Sequence, residues 1–457
     1  MKTAFLLVVA FSVLFQLLAA NVSAATRRVD SLRRLEVLVE ESAEPGDTIE
    51  IAPGRYDFTY DRINIQRSGT PDAPIIIRGT SDENGNRPVI DAAGVNVHRG
   101  VFTIGDGVHD VVVENLEICN AAGSRYGDRV PKYGVNSCAF FLAGCKNVTI
   151  RNCHIHHNED GLFATHWADC ILIENCHIHH NGTAYTGEHN RTHNFYFCAG
   201  RQVVRNCYIH DSTEGENFKS RAENAIFAYN WVDEEAIYSV AVDSGNSKNT
   251  LWVGNVVMKR TNLGHVQGRL LGIGDGTGVA RGTLVALNNT FITIFPRDFY
   301  LFTEESSTCN AVLLNNVFAG PGTVFLEKNG QGTVTGKNNW IKQGIEGVPD
   351  SLEGTVFGDD PGFVDAANFD FHLKAGSTLI NAGLSRDDVM SYVKMVTDNA
   401  RADEPAKPSP IFLNAIREIE ESIPSFEPLR KDHGFTKRGD DGKLDIGACE
   451  FPAKEGQ

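Results

Sequence analysis

Apolar and polar residues alternate along much of the chain, and one short version of the pattern keeps returning. Between residues 115 and 339 two or three alternating apolar positions are followed by Asn and another apolar residue. The instances are VVVENLEI, VTIRNCHI, ILIENCHI, QVVRNCYI, AIFAYNWV, TLWVGNVV, LVALNNTF, AVLLNNVF and TVTGKNNWI. Aligned on Asn115, Asn152, Asn175, Asn206, Asn230, Asn255, Asn289, Asn316 and Asn339, they recur at steps of 37, 23, 31, 24, 25, 34, 27 and 23 residues. A minimum near 23 with occasional longer steps is the pattern of a solenoid with loop insertions. A period near two with β-branched residues, as in Val148, Ile150 and Ile155 around Thr149 and Arg151, makes the unit a strand. A recurring Asn suits a left-handed bend, and stacked copies about 4.8 Å apart can bond along a ladder of amides. The architecture expected is all-β: a right-handed parallel β-helix, with earlier coils around Thr48–Ala52, Ile75–Arg78 and Val89–Asp91.

The ends break the pattern. Residues 1–24 carry Lys2, an apolar run from Ala4 to Ala20, and small residues at Val22-Ser23-Ala24, which together read as a secretory signal peptide. The expected location is therefore secreted or periplasmic, with no membrane attachment after cleavage. Residues 25–47 read as an N-terminal capping segment, with Leu32, Leu35, Leu38 and Val39 on one face of a short helix after Asp30 or Ser31. Residues 48–339 form the β-helix, and 340–457 its last coils and a C-terminal cap with helices at Arg386–Asn399 and Ile411–Ile423. Within that cap Asp360–Gly376 and Asp445–Glu450 read as final coils or strands.

Composition narrows the function. The 44 glycines in 457 residues exceed the ~7 % average and suit a turn-rich β protein. A net charge of −16 argues against a nucleic-acid binder but leaves room for a local basic cleft and an anionic ligand. The chain is expected to act as a monomer. Ten cysteines in an exported chain permit disulfides, yet no Cys-x-x-Cys pair occurs. Cys153, Cys176 and Cys207 each follow the repeat Asn; they read as small buried hydrophobes in one column, with a bridge between coils as the alternative.

Candidate chemistry collects where the coil is interrupted. The 37-residue step carries Arg125, Tyr126, Arg129, Lys132 and Tyr133, and the 31-residue step carries Tyr185, His189, Arg191 and His193. If both loops leave by one corner they wall a groove. Ten of the fifteen histidines lie between 154 and 210. Ile155-His156-His157-Asn158 returns as Ile178-His179-His180-Asn181, so equivalent imidazoles stack. A hydrogen-bonded structural ladder accounts for them, and a transition-metal site or a substrate-orienting role stays open. Further on, Asn217, Lys219 and Arg221 alternate with Phe218 and Ser220, which places the first three on one face of a strand. Two adjacent cations beside an amide make sense where an anion lies across them.

Several stretches resemble the right-handed β-helix polysaccharide lyases. Gly46-Asp47-Thr48-Ile49, Ala52-Pro53-Gly54-Arg55-Tyr56, Ser68-Gly69-Thr70 and Ala73-Pro74-Ile75-Ile76-Ile77 are similar to the alginate and chondroitin lyase group. Asn158-Glu159-Asp160-Gly161, His193-Asn194-Phe195-Tyr196 and Asn217-Phe218-Lys219-Ser220-Arg221-Ala222 resemble family thirty-one of the polysaccharide lyases, whose members include alginate lyases. Asp360-Pro361-Gly362-Phe363-Val364-Asp365 and Asp445-Ile446-Gly447-Ala448 look like end motifs common to exported β-helix proteins. The resemblance implies β-elimination on a uronate polysaccharide, alginate-type favoured. It gives Lys219 as base, Tyr196 or Tyr185 as proton donor, and Arg221 with Asn217 as carboxylate binders. His193, Asn194, His189, Arg191, Arg125 and Lys132 then line the substrate path.

The chemistry is consistent in itself. The carboxylate must be neutralised, a base must take the acidified proton, and an acid serves the leaving oxygen. Arg221 beside Lys219 is expected to favour the free amine. No cofactor is assigned from the sequence; Ca2+ could be held by carboxylates such as Glu159 and Asp160, although no Asp-rich cluster compels it. The competing readings are a non-catalytic carbohydrate-binding β-helix, a uronate C5-epimerase, which lacks an Asp-Pro-His-Asp motif here, and a glycoside hydrolase, which would want clustered carboxylates.

Overall fold

The computed structural model describes residues 24–122, 137–182, 192–198, 200–213, 215–234, 242–244, 249–260, 269–273, 281–294, 299–303, 307–328, 330–423 and 444–449. All but the last residue of the signal peptide expected at 1–24 lies outside them, as do the tips of both long insertions. No helix among the described residues is long and apolar enough to cross a membrane.

Each coil runs through three short strands that belong to three different sheets. In one coil these are Lys146–Arg151, His154–His156 and Asp160–Ala164. Among the described residues the first sheet has 13 strands, the second 12 and the third 10. Neighbouring strands within these three sheets are parallel and in register. Val111, Val148 and Ile171 align in the first sheet, Ile118, Ile155, Ile178 and Ile209 in the second, and Phe102, Phe140, Leu162 and Phe195 in the third. Those inward columns fill one continuous core, and the chain is a right-handed parallel β-helix.

The corner between the first and second sheets is built from two adjacent columns, not one. The left-handed position is held by Asn115, Asn152, Asn175, Asn206, Tyr229, Asn288, Asn315 and Asn338, with φ between 52° and 58°, and by Gly254 at φ 65°. The next residue points inward: Leu116, Cys153, Cys176 and Cys207, then Asn230, Asn255, Asn289, Asn316 and Asn339, each 0–1 % exposed. The single Asn column expected from sequence therefore slips by one residue between Asn206 and Asn230. The early asparagines supply the bend. The later ones form the ladder, in which Asn230 Nδ2 donates to Asn255 Oδ1 (3.1 Å), Asn255 to Asn289 (2.9 Å), Asn289 to Asn316 (2.9 Å) and Asn316 to Asn339 (3.0 Å). Each Oδ1 also accepts the backbone N–H of the preceding coil. All ten cysteines are unbridged, and Cys153, Cys176 and Cys207 fill the column where the ladder has not begun.

The N-terminal end is plugged. A strand at Thr26–Val29, which the alternation did not reveal, starts the first sheet beside Thr48–Ile51. Helix α1 (Leu32–Val37) and the wider turn Leu38–Ser42 follow, and they put Leu32, Leu35 and Val39 into the coil core. The C-terminal segment lies along the side of the solenoid. Helices α2 (Arg386–Ala400) and α3 (Pro410–Ser422) begin at Ser385 and Ser409, whose hydroxyls accept from Asp388 and Phe412 N–H. Their buried stripes, Val389, Val393, Val396 and Ala400 with Phe412, Ala415, Ile416 and Ile419, cover the outer face of the first sheet. Phe363–Asp365 and Asp370–Leu373 pair antiparallel, so they form a hairpin where a further coil was expected. With Ile446 and Ala448 that hairpin covers the second sheet from Tyr208 and Trp231 onward.

Replacing Asn255 with Ala strands the Asn230 N–H, the Asn230 amide and the Phe227 carbonyl in the core. The expected loss is about 3 kcal/mol, at 1–3 kcal/mol per buried unmet group, read as a shift in denaturant midpoint. Asn175→Gly, at a left-handed position that glycine adopts freely, should stay within about 1 kcal/mol of wild type.

Candidate active site

The helices cover the first sheet and the hairpin the later coils of the second; the sequence placed its cations on the outer side of the third. In-register stacking makes every outward position a line running across coils. Phe141, Phe163, Tyr196 and Lys219 share one such line. Phe141 and Phe163 stack with ring centroids 5.3 Å apart and planes 3° apart, and Tyr196 meets Phe163 edge-on at 5.2 Å. Cations stand at both ends. Arg99 Cζ is 4.8 Å from the Phe141 ring, while Lys219 Nζ and Arg221 Cζ are 5.5 and 5.4 Å from the Tyr196 ring. The ring faces draw the cations in, which fixes two long side chains on one aromatic platform.

Beneath this line runs a buried polar column. It lies where the chain enters each strand of the third sheet, and it holds Cys138, Asp160, His193 and Glu216, none more than 6 % exposed. The His193 backbone N–H donates to Asp160 Oδ1 at 2.7 Å. His193 Nδ1 accepts from the Glu216 N–H at 2.9 Å and lies 2.6 Å from Glu216 Oε2. Glu216 Oε1 then lies 3.7 Å from Lys219 Nζ. Gly161 and Gly215 are required by this crossing: a Cβ on Gly161 would meet the Asn194 carbonyl at 2.2 Å, and one on Gly215 the Thr192 carbonyl at 2.3 Å.

The environment sorts the protons. Burial pushes Glu216 up, but Lys219 and His193 outweigh it and hold the carboxyl at about 2. Burial lowers His193, against the pull of Glu216. Burial raises Asp160 well above the carboxylate range, offset only in part by the His193 N–H and reinforced by Glu159. Burial, with Cys198 beside it, also raises the Tyr196 phenol, so that it keeps its proton.

The structure thus brings Lys219, Arg221 and Tyr196 together, and it rearranges the rest of the expected set. Asn217 does not share the face of Lys219. It stands at the turn before the strand Phe218–Ser220, where alternation does not apply, and it is fully buried. Its Oδ1 accepts from Asn194 Nδ2 (2.7 Å) and the Ser212 N–H, and its Nδ2 donates to the Asp233 carbonyl. Asn194 continues this second ladder to Asn181, and Asn181 to Asn158. Neither Asn217 nor Asn194 can meet a polymer, and His193, 1 % exposed, supports the platform from behind. Glu159 and Asp160 are likewise inside, 2 % and 1 % exposed, and among the described residues they join no group of three metal-ligating side chains. Glu216 supplies the opposite charge beside Lys219 that the sequence reading did not place there, and its field acts against that of Arg221. Tyr185, His189, Arg191, Arg125 and Lys132 lie outside the described residues.

Sequence reasoning missed Arg99, Phe141, Phe163 and the supporting role of Glu216. The signal was present: Phe141, Phe163, Tyr196 and Lys219 are spaced 22, 33 and 23 residues apart, which is the coil period with one insertion.

Comparison with known proteins agrees with the architecture. The family described as right-handed beta helix region matches residues 96–270. Among curated proteins none matches the sequence. Among solved structures the chain is similar to the pectate lyase Pel9A, with 14 % identity and a TM-score of 0.56 over 94 % of this chain and 98 % of that one. It is also similar to the PL6 family polysaccharide lyase Pedsa3628 from Pseudopedobacter saltans, with 13 % identity, 79 % and 97 % coverage and a TM-score of 0.41. A PL6 family alginate lyase, AlyGC, matches with 12 % identity, 73 % and 53 % coverage and a TM-score of 0.35. At these identities the likeness to Pel9A is one of fold.

The buried anion has a pH signature. A carboxyl lowered from 4.5 to about 2 stabilises the folded state above about pH 4.5 and loses that contribution as pH falls toward 2. Glu216→Gln should therefore melt lower than wild type at pH 7, by on the order of 3 kcal/mol. The gap should close between pH 4.5 and 2 in paired thermal melts. A constant gap across that range would mean Glu216 is not the ionised partner of Lys219.

Proposed function

We propose that this protein is an exported polysaccharide lyase that cleaves a uronate-containing polysaccharide, alginate-type favoured, by β-elimination. The observation that carries the reading is the convergence of Lys219 and Arg221 on the half-buried Tyr196 ring, at the end of an aromatic line. The ring of Tyr196 and the edge of Phe163 offer apolar contact to a sugar, and the cations offer partners for its carboxylate.

In this reading Arg221 pairs with the uronate carboxylate and acidifies the neighbouring C5 proton. Lys219, having first passed its own ammonium proton to water, takes the C5 proton. The released electron pair forms the C4–C5 double bond, the C4–O4 bond breaks, and Tyr196 gives its proton to the departing O4. A phenol kept protonated by burial suits the acid role better than the base role. Lys219 is 9 % exposed, and Glu216 and His193 behind the wall hold the lysine in place. Asn217 has no part, since its amide is spent in the ladder. The lyase resemblance of the Asn217–Ala222 and His193–Tyr196 stretches supports the same assignment for Lys219 and Tyr196.

The aromatic line also favours a second reading, a carbohydrate-binding β-helix without turnover. Absorbance of unsaturated uronates separates the two. Alginate, polymannuronate, polyguluronate, pectate, glucuronan and chondroitin sulfate are each offered to purified protein, with calcium and with chelator. The expected result is a rise on one of them. Lys219→Ala should then lose about 10²-fold or more, with an unchanged far-UV spectrum. Tyr196→Phe should lower kcat more than affinity, and Arg221→Ala should lower both. No rise on any polymer, with retardation in a polymer-containing gel, would establish the binding reading; full activity in Lys219→Ala would remove it as the base.

A further inference from the structure

A second cluster lies on another face, the outer side of the second sheet. Two of its columns change chemistry over a few coils. One reads Glu117, His154, His177, Tyr208, Trp231; the other reads Cys119, His156, His179, His210, Asp233. The left-handed corner positions that follow add His157, His180 and Asp211. The other described strands of this sheet hold no histidine, so the imidazoles are confined to the coils where they meet. The C-terminal hairpin covers the same sheet only from Tyr208 and Trp231 onward, and His154, His177 and His179 stay half-buried and open to solvent.

The rings are held, not loose. His154 stacks on His177 at 4.7 Å and 7°, and His156 on His179 at 5.2 Å and 6°. Nitrogens face one another across the columns: His154 Nε2 is 2.8 Å from His179 Nε2, and His177 Nε2 is 2.8 Å from His210 Nε2. One ring nitrogen from each of His154, His177 and His179 falls within 4.8 Å of the other two. Carboxylates sit behind the set. Glu117 Oε2 is 3.3 Å from His154 Nδ1, and Asp211 Oδ2 is 2.6 Å from His210 Nδ1. A carboxylate on Nδ1 orients the ring and leaves Nε2 forward, which is the arrangement found behind metal-bound histidines.

We propose that His154, His177 and His179 form a binding site for one borderline divalent transition metal, of which Zn2+ is the representative. Glu117 orients His154, and His210 stands beside His177 as an adjacent fourth imidazole. Three imidazoles suit Zn2+, Ni2+ or Cu2+ over Ca2+ or Mg2+, which favour oxygen. A set of three histidine ligands leaves one tetrahedral position open. In the metal-free state each 2.8 Å N···N contact needs one proton between the rings, and the cation takes the place of the one between His154 and His179. The proposal is independent of the lyase reading, which uses a different sheet.

The test is calorimetric titration of untagged protein with ZnCl2 at about pH 7.5, followed by elemental analysis after gel filtration. One Zn2+ per chain is expected, with Kd at or below about 1 μM. Glu117→Gln should weaken it by about 10–100-fold, and His179→Ala by more. His166→Ala, an exposed histidine outside the cluster, and Lys219→Ala should bind as wild type does. Binding weaker than this, or unchanged in His179→Ala, overturns the site. Should His179→Ala fail to fold, Cu2+-loaded wild type decides by electron paramagnetic resonance: hyperfine structure from several nitrogens supports the site, and its absence overturns it.

Discussion

A coil of about 23 residues must turn sharply and return to register, and at each corner it buries backbone N–H groups that no strand partner reaches. Everything else in this molecule depends on meeting that demand. Two devices do so. A left-handed residue turns the chain, and the side chain next to it either fills the corner as an apolar plug or bonds along the stack. Cys153, Cys176 and Cys207 take the first course and Asn230 through Asn339 the second. A second ladder at the next corner, Asn158 to Asn181 to Asn194 to Asn217, bonds across the ends of the long 182–193 insertion. An insertion there leaves the coil register intact because Asn194 returns the chain to the ladder before the next strand starts.

Once register is held, chemistry is a matter of columns. A residue's neighbours in space are the residues one coil before and after it, so a functional group is assembled by substituting within a column. The third sheet does this with Phe141, Phe163, Tyr196 and Lys219, and the second with Glu117, His154, His177 and Tyr208. Which columns stay available is decided by the C-terminal chain. Helices α2 and α3 bury the outer face of the first sheet, and the hairpin buries the later coils of the second. The two chemically distinctive lines lie on the surfaces these elements leave open.

The architecture was legible because its signal is repetitive: a β period, a step near 23 and a recurring Asn are each reinforced nine times. Single corners were not. The pairs Asn288-Asn289, Asn315-Asn316 and Asn338-Asn339 offer two alignments, and only the φ values tell bend from ladder. The same limit governs the site. Lys219 was placed on an outward line because it lies in a strand, where alternation assigns a face; Tyr196 entered only through the family resemblance. Asn217, Asn194 and His193 were misplaced because they stand one or two residues earlier, on a turn whose residues point inward. Amide and imidazole side chains are chemically suited to either a substrate or a ladder, and composition alone does not choose between them.

The buried column explains why the cations can be adjacent at all. Lys219 and Arg221 repel each other, and an aromatic face alone offsets only about 1–2 kcal/mol per cation. Glu216 is an anion placed 3.7 Å from the lysine on its inner side, and burial would discharge it were Lys219 and His193 not there. Each charge is therefore a condition for the other. The pair keeps the lysine amine drawn toward the wall and leaves Arg221 as the cation facing outward over Tyr196. An approaching carboxylate would meet the arginine first, and its own charge would then compete with Glu216 for the lysine. In the proposed lyase reading, that competition would make the basic spot of an acidic protein respond to the anionic polymer laid across it.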